Sequence, residues 1–345
     1  MKIALINIYQ GEIERGAETF VLELSKRLAI NHLVKVFSGG KKPQKRWPII
    51  WRAFLDPHGI QVFIWTLKIL QHIWKAKYDI VIPLNGGWQP AFIRLITWLY
   101  GGKMVVSGQS GMGWDDRNNL WCFPNAFVAL TSKAKKWAKK ANPFMNKIFY
   151  IPNGVDLNKF KPNGEKYRTR LKKPIILCVG ALTPQKRINL VIDAVSKLNE
   201  ASLLVATGDK DIDNIAKLER ALLGSRFKLI SVPYINMPDV YRVADVFTLV
   251  SESSEAFGNV FVEAMATNLP VVAVNDEQRR EIIGDAGLYV DDPNDLDSYA
   301  NVLKKALNTE WGDIPRKQAE KFNWDKIANK YEKLFKIILE RNKVE

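Results

Sequence analysis

Along this chain, short continuous apolar runs alternate with longer stretches in which apolar residues recur at helical spacing. Residues 2–9 form an apolar run typical of a buried strand, and residues 17–28 place their apolar side chains on one helix face. Residues 34–37 form the next apolar run. The chain therefore opens with a β-α-β unit, and we expect its two strands to be parallel because a helix joins them.

The same order of strands and helices continues to the end of the sequence, with one interruption. Further strands are predicted at residues 78–82, 103–107, 126–131, 148–151, 174–179, 202–207, 228–232, 245–250, 271–274 and 287–290. Further helices are predicted at residues 60–74, 91–100, 132–141, 188–198, 237–244, 260–267, 279–283, 296–307 and 325–342. The interruption is the polar stretch 161–173, which we expect to link two β/α domains.

Length and composition narrow the class of protein. A length of 345 residues suits two domains, and a hydrophobic fraction of 47% predicts a folded core. Cys122 and Cys178 lie far apart without a Cys/His cluster, so we expect buried thiols in a reducing compartment and neither a disulfide framework nor a metal site. The chain begins with strand sequence rather than a signal peptide, and residues 60–74 are too short and too polar to span a bilayer. These features predict a cytoplasmic protein.

The positive charge is concentrated in one half of the chain. The formal net charge is +15, and residues 1–165 carry 24 Lys and Arg against 10 Asp and Glu, whereas residues 166–345 are nearly balanced. A one-sided basic field attracts nucleic acid, anionic lipid or an anionic acceptor, and a basic surface without a specific partner is the alternative. No recognisable nucleic-acid motif accompanies the charge, so a nucleic-acid partner is not expected.

Residues 41–55, KKPQKRWPIIWRAFL, combine five cations with aromatic residues, among them Trp47, Trp51 and Phe54. Two prolines argue against one continuous helix. Basic residues interleaved with Trp and Phe are typical of an interfacial membrane contact, here with an anionic surface. A surface loop whose aromatic side chains pack on the core fits the same pattern, and both interpretations stay open.

The stretch 251–273, SESSEAFGNVFVEAMATNLPVVA, contains the strongest chemical signal. Glu255 lies in the loop before a predicted helix, and Glu263 lies about two turns into that helix. The N–H groups of Gly258, Asn259 and Val260 lie at the helix start, where unpaired N–H groups and the helix dipole attract phosphate. An anion there lies between two carboxylates that accept hydrogen bonds from hydroxyls. Phosphate and several hydroxyls together describe a sugar nucleotide.

This stretch resembles the E-x7-E segment of family 4 glycosyltransferases, which are retaining enzymes of the GT-B fold. The match consists of Ser251, Glu255, Phe257, Gly258, Glu263, Ala264, Met265, Ala266, Pro270, Val271 and Val272. The family usually has Gly where this chain has Asn268, and Asn tolerates the left-handed backbone conformation better than most residues. The segment 151–156, Ile-Pro-Asn-Gly-Val-Asp, resembles the family's crossing between domains.

The resemblance implies an α/β fold of the GT-B class, with two Rossmann-like β/α/β domains that face each other across a cleft. It implies an acceptor-binding domain at residues 1–160, on which the C-terminal helix 325–345 packs back, and a donor-binding domain at residues 161–324. It makes Glu255 and Lys186 the catalytic candidates. The donor is a nucleotide-diphosphate sugar, with no other cofactor and no metal ion required. The implied donor-binding residues are Gly16, Gly180, Lys186, Arg187, Phe257, Gly258, Asn259, Val260 and Glu263.

The chain departs from the family pattern in two loops. The family pattern after the first strand of the donor domain is Gly-Arg, a short spacer and Lys-Gly, whereas this chain has Ala181 in place of the arginine and Arg187 in place of the second glycine. Many family members also place a histidine in the loop after residues 103–107. This chain has Gln109 there, and Gln109 and Asn85 are the polar candidates on the acceptor side.

The resemblance predicts a retaining glycosyltransferase that moves a hexose-type sugar from a UDP or GDP sugar to a glycan or lipid-linked acceptor. The product would be a cell-surface polysaccharide or glycolipid, made in the cytoplasm or at the inner face of the membrane. His32, His58 and His72 are expected away from the crevice, which fits a mechanism without a histidine base. A GT-B-fold sugar-nucleotide epimerase and a non-catalytic binding protein are the alternatives, and product analysis with donor alone distinguishes the epimerase.

Overall fold

The structure, a computed structural model, describes residues 1–11, 16–40, 53–208, 222–252 and 255–340. The chain divides into two compact units, which are described separately. The first unit comprises Met1–Asn153, Ser254–Phe257 and Trp324–Glu345. The second unit comprises Gly154–Ser253 and Gly258–Asn323. Residues 41–52, which include most of the basic aromatic segment, lie outside the described residues, so its two interpretations stay predictions.

The first unit contains a parallel six-stranded sheet in the order β2-β1-β3-β4-β5-β6. Its strands are β1 (Lys2–Ile6), β2 (Leu33–Phe37), β3 (Ile80–Pro83), β4 (Lys103–Ser107), β5 (Ala126–Ala129) and β6 (Ile148–Tyr150). Its helices are α1 (Gly16–Leu28), α2 (Pro57–Ala76), α3 (Trp88–Tyr100), α4 (Trp114–Trp121), α5 (Ser132–Ala141) and, from the far end of the chain, α12 (Trp324–Glu340). Strands covered by helices on both sides are buried on both faces, which explains their continuous apolar runs.

The two faces of this sheet have separate hydrophobic cores. Ile3 and Leu5 of β1 point toward α1 and α12, whereas Ala4 and Ile6 point toward the layer of α2, α3, α4 and α5. This alternation follows from the two-residue period of a strand. In the first core, the ring of Phe20 lies 5.7 Å from the ring of Tyr331, measured between centroids. Residues far apart in the sequence therefore complete a single core.

The boundary between the units differs from the predicted boundary at residue 160. The first unit ends at Asn153, and Val155 already donates its N–H to the carbonyl of Phe322 in the second unit, at 2.7 Å. The Arg316 guanidinium donates to the carbonyls of Phe160 and Leu157, at 2.6 and 3.0 Å. These bonds connect residues 155–160 to the second unit, although their sequence does not reveal such distant partners.

The second unit contains another parallel six-stranded sheet, in the order β12-β11-β10-β7-β8-β9. Its strands are β7 (Ile175–Val179), β8 (Ser202–Thr207), β9 (Phe227–Ser231), β10 (Val246–Leu249), β11 (Val271–Val274) and β12 (Gly287–Val290). Its described helices are α6 (Ile188–Ser196), α7 (Met237–Val243), α8 (Asn259–Ala266), α9 (Glu277–Ile283), α10 (Leu296–Asn308) and α11 (Ile314–Ala319). Asn268, just after α8, has a φ of 64°, which confirms that asparagine adopts the left-handed conformation there.

Three helix positions differ from the sequence prediction. Helix α2 begins at Pro57, where the Asp56 side chain accepts the N–H of Gly59 and caps the first turn. Helix α4 was not predicted, because its sequence WDDRNNLW has little apolar periodicity. Helix α11 also forms within a short polar stretch. Among the described residues, no helix is long and apolar enough to cross a membrane.

Helix α12 offers a direct test of how much its packing stabilises the first unit. Phe335 is fully buried in the core between α12 and α1, whereas Ile337 on the same helix is 44% exposed. We expect Phe335→Ala to lower the free energy of unfolding by about 3–5 kcal/mol, because it leaves a cavity in the core. The matched control Ile337→Ala should change it by less than about 0.5 kcal/mol in a urea titration. Equal effects of both substitutions would contradict this packing.

Candidate functional site

The strand order of the second sheet reverses between β7 and β10. From β7 the chain continues to β8 and β9 on one side, and it then returns to place β10, β11 and β12 on the other side. The loops after β7 and β10 therefore leave the sheet in opposite directions, and ligands of open α/β sheets bind at such a reversal. The loop after β7 contains Gly180, Lys186 and Arg187, and the loop after β10 contains Ser251 and Glu252.

The two loops are bonded to each other. The N–H of Glu252 donates to the carbonyl of Gln185 at 2.9 Å, and the guanidinium of Arg187 lies 3.9 Å from the carboxylate of Glu252. Lys186 is therefore held at the junction of the loops. Its side chain runs past Gly180, where a Cβ atom would lie 3.5 Å from it. Lys186 and Gly180 are thus adjacent in the structure, as a shared phosphate-binding role requires.

Arg279 anchors the loop after β10, and it was not among the site residues predicted from the sequence. It is 1% exposed, and its Nη2 donates to the Ser251 carbonyl at 2.8 Å, the Ser251 hydroxyl at 2.9 Å and the Glu252 carbonyl at 2.9 Å. Its charge is balanced by an ion pair with Asp276, which also caps α9. A buried guanidinium with this many acceptors fixes the backbone that it contacts.

Glu263 is buried in the second turn of α8, where two tyrosines contact its carboxylate. The Tyr241 hydroxyl donates to Oε2 at 2.8 Å, and the Tyr234 hydroxyl donates to Oε1 at 3.1 Å. Lys159 lies over the Tyr234 ring, with its Nζ 3.7 Å from the centroid. A carboxylate has about four lone-pair sites, so two further hydrogen bonds can still be accepted.

Burial raises the pKa of Glu263 to about 7, although the hydrogen bonds from Tyr241 and Tyr234 and the charge of Lys159 act to lower it. Burial and the neighbouring carboxylate also raise the pKa of Tyr241 well above its ordinary value, so its hydroxyl stays a donor. Perturbed carboxyl groups of this kind are concentrated at functional sites. The environment of Glu263 fits a site residue, and its donor-binding role stays a prediction.

The turn before α8 has a backbone that requires glycine. Gly258 has a φ of 90°, in the left-handed region, and α8 begins at the next residue, Asn259, followed by Val260. Phe257 is 2% exposed and Glu255 is half-buried. Ser254–Phe257 is grouped with the first unit, whereas Glu263 belongs to the second, and Ser253 and Ser254 lie outside the described residues. The catalytic role of Glu255 therefore stays a prediction.

In the first sheet the strand order reverses between β1 and β3, and Asn85 follows β3 there. Asn85 is buried: its Oδ1 accepts the N–H of Ile8 at 3.0 Å, and its Nδ2 donates to the Asn7 side chain at 3.3 Å. These bonds connect the loops after β1 and β3. Gly16 is the first residue of α1, and the four residues before it lie outside the described residues. The structure shows that Asn85 connects these two loops, and its role in binding the acceptor stays a prediction.

Gln109 forms a reciprocal amide pair with Asn153, the residue that ends the first continuous segment of the first unit. Each Nδ2 or Nε2 donates to the other side chain's oxygen, at 2.9 and 3.0 Å, and Gln109 also donates to the Ser107 hydroxyl at 2.9 Å. Ser107 in turn lies 3.1 Å from the hydroxyl of Tyr331 on α12. Gln109 therefore connects three distant parts of the first unit, and its acceptor role also stays a prediction.

The structure corrects the expected position of His58. Its ring stacks on Tyr9, with centroids 5.4 Å apart, and its Nδ1 lies 2.6 Å from the Tyr9 hydroxyl. Tyr9 follows β1 at the carboxyl edge of the first sheet, so His58 lies beside that edge rather than away from it. The reason is the early start of α2 at Pro57, which brings its first turn to the loop. The histidine positions therefore no longer favour one mechanism.

Asp116 in α4 is a second buried carboxyl group that the sequence did not reveal. Burial raises its pKa to about 8, although the Asn119 amide at 3.1 Å and the N–H groups of Ser110 and Gly111 act to lower it. It therefore fixes the glycine-rich loop after β4. Within the described ranges, no group of three or more His, Cys, Asp or Glu side chains is placed to hold a metal ion.

Two family profiles match adjacent parts of the chain and together cover residues 15–326. The profile described as "Glycosyltransferase Family 4" matches residues 15–159, and the profile described as "Glycosyl transferases group 1" matches residues 160–326. The change from one profile to the other falls between residues 159 and 160, shortly after the crossing segment 151–156. The mannosylfructose-phosphate synthase of Agrobacterium fabrum is 31% identical over 208 residues, covering 52% of this chain and 46% of the relative. The chain spans about half the length of the curated relatives it matches.

Two solved structures are similar over nearly the whole chain. HepE of Anabaena, in complex with UDP and glucose, superposes with a TM-score of 0.74 at 16% identity, covering 97% of this chain and 99% of that one. The sucrose-phosphate synthase of Thermosynechococcus elongatus superposes with a TM-score of 0.77 at 18% identity, covering 99% of both chains. At these identities the similarity establishes the fold.

The raised pKa of Glu263 predicts a pH-dependent stability. The folded state holds the proton more tightly than the unfolded state, whose pKa is near the ordinary 4.5. This stabilisation is complete below the unfolded pKa and is lost as the pH rises through about 7. Glu263→Gln removes the titration, so the fall in unfolding free energy between about pH 5 and about pH 8 should be smaller than in the wild type. Urea titrations across this range measure it, with the exposed Glu310→Gln as control; identical slopes in all three proteins would contradict the assignment.

Proposed function

Because the chain belongs to glycosyltransferase family 4, we propose that it transfers a sugar from a nucleotide-diphosphate sugar to a glycan or lipid-linked acceptor, with retention of the anomeric configuration. Its two parallel six-stranded sheets form the GT-B fold. The observation that supports this function best is the buried Glu263 carboxylate beside the strand-order reversal of the second sheet. The HepE structure with UDP and glucose makes a UDP sugar the first donor to test.

The nucleoside part of the donor fits the Glu263 environment. The carboxylate already accepts one hydrogen bond on each oxygen, from Tyr241 and Tyr234, and keeps capacity for two more. The two neighbouring hydroxyls of a ribose supply two such donors. The tyrosines hold the carboxylate in one orientation before the donor arrives, so less rotational freedom is lost on binding. Glu263 therefore acts in this proposal as the ribose-binding residue.

The diphosphate of the donor fits the junction of the loops after β7 and β10. The first turn of α8, at Asn259 and Val260, supplies backbone N–H groups and the positive end of the helix dipole. Lys186 supplies a full positive charge next to Gly180, which has no side chain of its own. Lys186 aligns with the lysine of the family pattern, so it is our candidate for the phosphate charge.

In the proposed reaction, the bond between the sugar C1 and the diphosphate oxygen breaks, and a bond from C1 to the acceptor oxygen forms on the same face. The acceptor proton passes to the departing phosphate oxygen, so the step needs no protein base. Lys186 and the start of α8 stabilise the negative charge that develops on the diphosphate. Glu255, by family resemblance, contacts the transferred sugar, where positive charge develops at C1.

A donor screen tests this proposal directly. A nucleotide sugar that binds the folded protein raises its melting temperature, and the ranking of UDP, GDP and other sugars identifies the donor. The product formed with an acceptor is then examined by NMR for the anomeric configuration. Inversion of that configuration would contradict the retaining mechanism. Isomerisation of the donor in the absence of acceptor would instead favour an epimerase, and binding without any turnover would favour a non-catalytic protein.

The two glutamates of the E-x7-E segment should affect different kinetic constants. We expect Glu263→Ala to raise the KM for the donor, because ribose contacts are similar in the ground and transition states. Glu255→Ala should mainly lower kcat, because it removes a group near the developing charge. Steady-state kinetics with varied donor separate the two effects. Wild-type activity in both variants would contradict the site.

The two neighbouring cations should differ in the same assay. We expect Lys186→Ala to cost roughly 1.5–3 kcal/mol in transition-state stabilisation, since it removes a charge-assisted bond to phosphate. Arg187→Ala is the matched control. It should cost less transition-state stabilisation, because the Arg187 guanidinium already faces the Glu252 carboxylate. The comparison is made in kcat/KM for the donor. The reverse order would assign the diphosphate to Arg187.

A further inference from the structure

Helix α3 buries two polar side chains beside Ile93 and exposes several large apolar ones. Gln89 and Thr97 are fully buried, and Gln89 donates to the Thr66 hydroxyl of α2 at 3.4 Å. The outward positions are Trp88, Leu95, Trp98 and Leu99, of which Trp98 is 67% exposed. A helix that faces water has the opposite arrangement, with polar side chains outside. The outward face of α3 is therefore suited to an apolar or interfacial environment.

Helix α2 lies beside α3 and buries Val62, Ile69 and Ile73, but it also turns large apolar side chains outward. Its Thr66 is fully buried, whereas Ile60, Ile64, Leu67 and Trp74 are exposed at spacings of three, four and seven residues. These spacings place the four side chains along one outward stripe. Lys68 and Lys75 are also exposed and follow two members of the stripe directly in sequence. The stripe therefore combines apolar side chains with flanking positive charges.

Ring contacts join the two stripes at both ends. Phe63 of α2 lies 6.3 Å from Trp88 of α3, and Trp74 of α2 lies 6.2 Å from Tyr100 of α3, measured between ring centroids. The helices therefore run side by side in the same direction. We call their joined outward stripes the α2–α3 surface. Contiguous exposed apolar patches of this kind mark interaction sites, whereas single exposed residues do not.

The charge around this surface indicates what it contacts. Residues 57–147, which include the whole helical layer of α2, α3, α4 and α5, carry twelve Lys and Arg but only three Asp. One of the three, Asp116, is buried, and Lys68, Lys75 and Lys77, on or directly after α2, are exposed. A second copy of the chain would bring like charges together. An anionic lipid surface instead offers opposite charge and an apolar layer beneath it.

We propose that the α2–α3 surface docks on an anionic lipid bilayer, with its Trp and Leu side chains in the headgroup–acyl boundary and its lysines on lipid phosphates. Trp suits this depth because its ring is apolar and its N–H is polar. Helix α3 has 13 residues, about 20 Å at 1.5 Å per residue, and neither described helix is long and apolar enough to cross a membrane. The helices therefore lie in the plane of the interface.

This proposal differs from the sequence interpretation of residues 41–55, because it rests on described helices further along the chain. It also goes beyond the proposed transferase activity, since docking requires neither donor nor acceptor. If the acceptor is lipid-linked, docking brings the first unit to the membrane that holds it. Donor binding is measured separately, by the donor-dependent rise in melting temperature. A failure of vesicle docking is therefore distinguishable from a failure of donor binding.

Vesicle sedimentation tests the proposal with the full chain and a matched pair of variants. Leu95→Ser/Leu99→Ser removes two exposed leucines from the α2–α3 surface. Leu22→Ser/Leu33→Ser makes the same change at two exposed leucines elsewhere in the first unit, on α1 and β2. The vesicles are phosphatidylcholine alone and phosphatidylcholine with phosphatidylglycerol. Unfolding curves of both variants establish that they remain folded.

We expect the wild type and the Leu22/Leu33 variant to sediment with the anionic vesicles and not with the neutral ones. The Leu95/Leu99 variant should bind the anionic vesicles at least about tenfold more weakly, because it buries less apolar area in the headgroup–acyl boundary. Brominated lipids should quench the tryptophan fluorescence of the wild type. The quenching should be weaker in Trp98→Phe, and in the control Trp311→Phe it should equal that of the wild type. A wild type that stays in the supernatant, or equal binding by all variants, would overturn the proposal. A dimer that the Leu95/Leu99 variant dissociates, without vesicle binding, would assign the surface to a second copy.

Discussion

The pairing of β7 with β10 is the constraint on which the candidate site depends. Parallel strands joined by right-handed crossovers can extend a sheet in either direction, and the second sheet extends first one way and then the other. The chain therefore leaves these two strands in opposite directions, and ligands of open α/β sheets bind at such a reversal. Arg279 fixes the loop after β10, and the bond from Glu252 to Gln185 joins that loop to the loop after β7.

Much of this architecture is predictable because its determinants are local. Strands buried on both faces appear as continuous apolar runs, so both sheets follow from the sequence. The polar stretch 161–173, which was expected to link the two domains, instead lies within the second unit. The ordered set around Glu255 and Glu263 is equally local, since a turn, a glycine at positive φ and a helix lie within a dozen residues. The match of both family profiles confirms the family that this set indicates.

The surroundings of the site were not predictable, because they come from distant parts of the chain. Tyr234 and Tyr241 reach Glu263 from another helix and its preceding turn, and nothing in their local sequence distinguishes them from core tyrosines. Arg279 looks like a surface residue of the charged sequence EQRREII, yet it is buried. Helix α3 appears in the sequence as an ordinary core helix, because periodicity alone does not tell which face is turned outward. The position of His58 was predicted wrongly because α2 begins at Pro57, three residues before its predicted start.

The interleaved order of the two units has a consequence for biosynthesis. One core of the first unit needs Trp324, Tyr331 and Phe335 against α1, and these residues leave the ribosome only after the whole second unit. At typical rates of synthesis, about 5–20 residues per second, the apolar side of α1 waits roughly 15 seconds or more for its partner helix. During that time the nascent chain exposes a surface that chaperones recognise. The second unit, whose described strands and helices are nearly continuous in sequence, can fold before the first is complete.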